Sequence, residues 1–233
     1  MSYFKTLIIE ENIKSRWYPI SIYHLKANLS IDWSQPNAYA LCSNIAYSLQ
    51  YIQYLELQFK ELNLSSVIYT MLCKSYVITG MSILEGLFSN YLKSIGKWKT
   101  IEWEEVATFK SNPVSTNGTE QKIHTVVYNK IPEKLDKMDL EAMIQKLDRI
   151  RTLPVDHLVY PALKRLKQLR NRVHLQMNTD DYDHDYNCFS YKERDEMRSI
   201  LWQILTIPVF CKNPSVYDFI KPEQEVSPEE SGD

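Results

Sequence analysis

From Pro36 to Asn63 the chain reads PNAYALCSNIAYSLQYIQYLELQFKELN, 28 residues without an internal glycine or proline, in which Leu, Ile and Tyr return at helical spacing. Ser65 or Ser66 can cap a second such run. There Val67, Met71, Ile78, Met81, Leu84, Phe88, Tyr91, Leu92 and Ile95 carry the same period as far as Gly96, a natural C-terminal stop. Each run makes a helix about 40 Å long at 1.5 Å per residue. With only a few residues between them, the two must lie antiparallel. The pattern therefore predicts a mainly α protein built as an up-down helical bundle.

The remaining segments are placed around that pair. Residues 1–35 mix aliphatic and aromatic residues without a clean period, and irregular structure or short strands are expected there. Over about 100–131, TIEWEEVATFK and QKIHTVVYNKI flank an Asn-Gly turn signal, which predicts a β-hairpin inserted between helices. Trp98 and Trp103 near it can stack on bases or pack the hairpin onto the bundle, and packing is the expectation. Asp139 can cap a short helix running to Arg149, and Pro161 suits the first turn of the next. NTDDYDHDYN follows, with Asp180, Asp181, Asp183, His184 and Asp185; it matches no calcium-loop template and reads as a solvated acidic loop. Ser190 and Glu193 form a capping box for the last helix, which Pro208 ends or kinks. The bundle is thus expected over 36–215 and a disordered acidic tail over 222–233.

Composition narrows the function classes. The chain has 233 residues, of which 44% are hydrophobic and 24% charged, with five glycines, as in an ordered globular protein. Neither a signal peptide nor a membrane span is indicated, so a cytoplasmic protein is expected. Cys42, Cys73, Cys188 and Cys211 show no CxxC pairing, and Cys42 and Cys73 read as reduced core thiols. No metal site or cofactor is expected. The net charge is −2, yet the five acids of the tail conceal a basic body in which 27 basic residues face 24 acidic ones. No DNA-reading helix-turn-helix stands out.

The densest basic stretch is KRLKQLRNR, residues 164–172, where five of nine residues are Lys or Arg. On a helical projection Leu163, Leu166, Leu169 and Val173 form an apolar stripe about 120° wide. Lys167, Arg170, Asn171 and His174 fall on the adjoining face, with Arg170 and His174 nearest the apolar edge. Arg165 and Arg172 project toward solvent. A histidine can take a proton from a ribose 2′-hydroxyl or return one to the leaving 5′-oxygen. An arginine one turn away presents a planar fork to the charged transition state, and Asn171 can hold a phosphate oxygen. Lys164, Lys167 and Arg172 are candidate substrate-binding cations. Glu85, among apolar neighbours in SILEGLFSNYL, either sits partly exposed at the edge of its helix or faces the motif helix and orients Arg170 or His174, since a buried carboxylate needs a partner.

LRNRVH, residues 169–174, resembles the signature of the HEPN superfamily (higher eukaryotes and prokaryotes nucleotide-binding), in which an Arg, often followed by Asn, precedes a His on the last long core helix. The resemblance covers roughly 36–96 and 135–210. Here three residues separate Arg and His, where four to six are commonest. The resemblance implies a bundle of four or five helices and a homodimer with the two motifs facing across the interface. It also implies metal-independent endoribonuclease activity in a toxin or antiviral-defence setting. Arg170, Asn171 and His174 would be the catalytic set, with RNA as substrate. The alternative is a non-catalytic interaction module that binds RNA or a partner protein, including an antitoxin or regulator.

Overall fold

The computed structural model describes residues 16–173 and 184–222. The protein is mainly helical. Its elements are α1 (Ile22–Asn28), α2 (Ala38–Glu61), α3 (Ser66–Ser94), β1 (Thr100–Lys110), β2 (Val114–Thr116), β3 (Thr119–Gln121), β4 (His124–Leu135), α4 (Leu140–Ile150), α5 (Val159–Arg170), α6 (Asp185–Cys188) and α7 (Tyr191–Leu205). A 3-10 turn over Asn171–Val173 follows α5, and another over Pro214–Ile220 closes the described chain.

The long central helix is α3, packed by α2, α4, α5 and α7. Tyr76, Val77, Leu84, Leu87 and Phe88 are buried along it and meet Leu49, Ile52 and Leu55 of α2 and Ile200, Leu201 and Ile204 of α7 in one continuous core. A Cβ on Gly80 would stand 2.8 Å from Met197 Cγ and 3.1 Å from Leu201 Cδ1, so the missing side chain is what lets α7 approach this closely. By length and composition alone α3 could cross a membrane; half of its most apolar window is buried inside this protein.

Local signals account for most boundaries. Gly96, at φ 64°, stops the α3 run. Asp139 accepts from the Ala142 amide and starts α4, whose buried Leu140, Met143, Ile144 and Leu147 follow helical spacing. The Ser190–Glu193 capping box starts α7, and the helix ends at Leu205, before Pro208. Residues 1–35 are not wholly irregular. Ser21 caps α1 by accepting from the His24 amide, and α1 docks on α2, where Lys26 Nζ donates to Ser43 Oγ at 2.8 Å and lies 3.6 Å from the Tyr39 ring centroid. The tail expected over 222–233 lies outside the described residues from 223 onward.

The hairpin forms, with Asn117 at φ 52° and Gly118 at φ 77° in its turn. Strands β1 and β4 pair antiparallel from Thr100↔Leu135 to Lys110↔His124, with two register shifts. The ribbon does not pack on the helices as the sequence suggested. Along β1 and β4 only Ile101, Ala107 and Ile131 are partly covered, while Trp103, Val106, Phe109 and Tyr128 are exposed. Its root is fastened instead: Trp98 Nε1 donates to the Asp136 carbonyl at 2.8 Å, the Lys93 ammonium sits 4.4 Å from the Trp98 ring centroid, and Lys99 pairs with Asp136.

Candidate functional site

Helix α5 buries Val159, Tyr160, Leu163 and Leu166 and turns its basic residues toward three neighbouring helices. Lys164 Nζ lies 3.1 Å from Asp148 Oδ2 and Lys167 Nζ 3.2 Å from Glu141 Oε2, both on α4. Arg165, expected to project into solvent, reaches α7 and pairs with Glu193 at 3.3 Å and with Glu196. Arg170 Nη2 donates to Glu85 Oε2 on α3 at 2.7 Å, with each side chain about 33% exposed.

The α-helix stops at Arg170, earlier than the stripe through Val173 implied. The Asn171 amide shares the carbonyls of Lys167, Gln168 and Leu169, and the tighter winding of the 3-10 turn takes over. This rotates the residues that follow. Arg172 consequently turns inward: its side chain is only 13% exposed and Nε lies 3.6 Å from Asp185 Oδ1. Asp185 also holds Lys74 Nζ at 2.7 Å, so this member of the acidic stretch is an ion-pair partner and not a solvated loop residue. Lys74 is itself buried.

Glu85 and Arg170 are thus brought together, and Asn171 follows directly on the Arg170 turn. His174 lies outside the described residues, as do Asp180, Asp181 and Asp183. Of the supporting acids, Glu141 has its carboxyl held below the usual range by hydrogen bonds from Gln145 and Lys167. Cys42 and Cys73 are buried thiols, with Cys73 pushed up to about 12 by burial.

A second polar cluster was not singled out from the sequence. Tyr76 Oη donates to Glu56 Oε1 at 2.6 Å, and Arg198 Nε stands 3.4 Å from the same oxygen. Burial raises the Glu56 carboxyl pKa against the opposing pull of Tyr76, Arg198 and Arg194. Arg194 lies over the Phe59 ring at 4.8 Å and pairs with Asp195. The available signal was a carboxylate at position 56 among the apolar positions of α2 and two arginines four apart on α7, with no motif around them. No family model, curated protein or solved structure matches the chain.

Proposed function

We propose that the chain is a HEPN-like, metal-independent endoribonuclease, cytoplasmic and homodimeric, acting as a toxin or in antiviral defence. His174 takes the proton of a ribose 2′-hydroxyl, the oxygen attacks the adjacent phosphorus, and a proton is returned to the leaving 5′-oxygen. Arg170 stabilises the charge that develops on the phosphoryl oxygens, while Asn171 and Lys167 position the phosphate.

The observation that carries this reading is the Arg170–Glu85 pair. Glu85 occupies one nitrogen of the guanidinium at 2.7 Å, fixing the fork on a helix end that is still one-third open to solvent. An arginine oriented by a carboxylate and partly exposed is suited to receive an oxyanion. The test is purified protein with total RNA in chelator, wild type beside Arg170→Ala and His174→Ala. Cleavage by wild type alone supports the proposal. Cleavage that persists in the His174→Ala protein, or that needs added divalent metal, refutes the mechanism.

A second reading is favoured by a different observation. Lys164, Arg165, Lys167, Arg170 and Arg172 each face a carboxylate, which weakens the positive field this stretch would present to RNA. On that reading the protein is a non-catalytic module binding a partner protein or RNA. Retention of RNA in a mobility shift without any cutting would select it.

A further inference from the structure

Helix α2 turns Glu56, Phe59 and Lys60 toward α7, which answers with Arg194 and Arg198 one turn apart. Between them is an open cleft of about 530 Å³, lined also by Trp17 and by Phe219 of the last 3-10 turn. We propose that this cleft binds a small phosphate ester carrying an aromatic ring, of nucleoside monophosphate size and chemistry.

Three features of the cleft support that ligand class. The first is charge. Lys60, Arg194 and Arg198 line the cleft against the single carboxylate of Glu56, and the paired Asp195 lies outside the lining. A phosphate monoester carries about −2 near neutral pH and balances that surplus. The second is unfinished hydrogen bonding. The Nε atoms of Arg194 and Arg198 are both buried without a hydrogen-bond partner, and Arg198 Nε, though 3.4 Å from Glu56 Oε1, is misdirected for a bond. Each guanidinium faces one carboxylate, Asp195 for Arg194 and Glu56 for Arg198, and keeps donor capacity beyond that pair. Guanidinium forks not fully held by their neighbours can turn to an entering oxyanion. The third is the wall. Phe59, Trp17 and Phe219 offer apolar ring surface within a volume typical of small-ligand pockets. Phe59 already stacks under one guanidinium.

Neither RNA cutting nor the Arg170 turn enters this inference, so it stands or falls separately from the proposed function. The experiment is isothermal titration calorimetry of the full chain with adenosine 5′-monophosphate in chelator, with adenosine and inorganic phosphate as separate arms. Saturable binding of the monophosphate is expected, with each half-ligand at least about tenfold weaker. Arg198→Gln is expected to weaken binding about tenfold or more. Because Arg198 faces the partly buried Glu56 and its loss can unfold the protein, Lys60→Gln provides a second test on an exposed side chain. That variant should weaken the monophosphate, leave adenosine unchanged and lessen the dependence on salt. The proposal is overturned by no saturation up to about 1 mM, or by adenosine binding as tightly as its monophosphate. It is also overturned if Arg170→Gln abolishes binding while Arg198→Gln and Lys60→Gln do not, which would move the ligand to the α5 turn.

Discussion

Arg170, the last residue of α5, donates through Nη2 to Glu85 Oε2 in the middle of α3, 85 residues earlier in the chain, at 2.7 Å. Both partners are partly solvated, so the pair contributes little to stability while fixing the direction of the guanidinium. Glu85→Ala and Arg170→Ala, singly and together in a double-mutant cycle by urea unfolding, should give a coupling of about 0.5–1 kcal/mol. Under the endoribonuclease proposal, Glu85→Ala should in addition slow RNA cleavage about ten- to a hundredfold, through misplacement of Arg170. Coupling without a rate effect would leave Glu85 a structural partner only.

Gly80→Ala should destabilise the protein by about 1–2 kcal/mol, although alanine is the better helix former. The new methyl would stand 2.8 Å from Met197 Cγ, forcing α7 or the methionine to move. The urea midpoint checks this, and a midpoint equal to or above wild type would show that Met197 yields freely.

Glu56 makes stability depend on pH in a definite direction. Burial raises its folded-state pKa above the ordinary 4.5. Its contribution is therefore fully present below about 4.5 and is lost as pH rises through the raised value. Glu56→Gln removes that titration. The stability difference, wild type minus Glu56→Gln, should become less favourable to wild type as pH climbs from 4.5 toward neutrality, as read by denaturant unfolding across that range.

Removing the ribbon should spare the helices. Replacing residues 102–133 by a short Gly-Ser link retains the Trp98–Asp136 bond at its root and deletes almost only exposed surface. The melting temperature by far-UV circular dichroism should change by no more than about 4 °C. A larger fall would show that the ribbon supports the body.

Thiol chemistry should separate the cysteines. Burial pushes the Cys73 thiol up to about 12 and raises those of Cys42 and Cys211, whereas Cys188 is only half-buried. In the native protein at neutral pH, Ellman's reagent should modify Cys188 first and leave Cys73 unreacted until denaturant is added.

The long helices were legible because nothing between Pro36 and Asn63 interrupts them and because Gly96 punctuates α3. Asp139, Ser190 and Asn117-Gly118 likewise act locally, through caps and a turn that need no distant partner. Helix α1 was not legible, since seven residues give too short a period and its position depends on Ser43, Tyr39 and other groups of α2. The inward turn of Arg172 escaped for a geometric reason: the projection assumed 100° per residue past Arg170, where the chain winds as a 3-10 turn. The Glu85–Arg170 contact could be anticipated because a carboxylate in an apolar stretch needs a cation, and the α5 basic cluster offered one. The Glu56 cluster could not, because its members come from three helices and no single stretch of chain shows both its carboxylate and its arginines.

Asp185 receives Arg172 from one side and Lys74 from the other. One carboxylate at the start of α6 thus ties the 3-10 turn after α5 to the central helix α3. A substitution at Lys74, three turns of α3 away from Glu85, would therefore be felt at both the last turn after α5 and the first residue of α6.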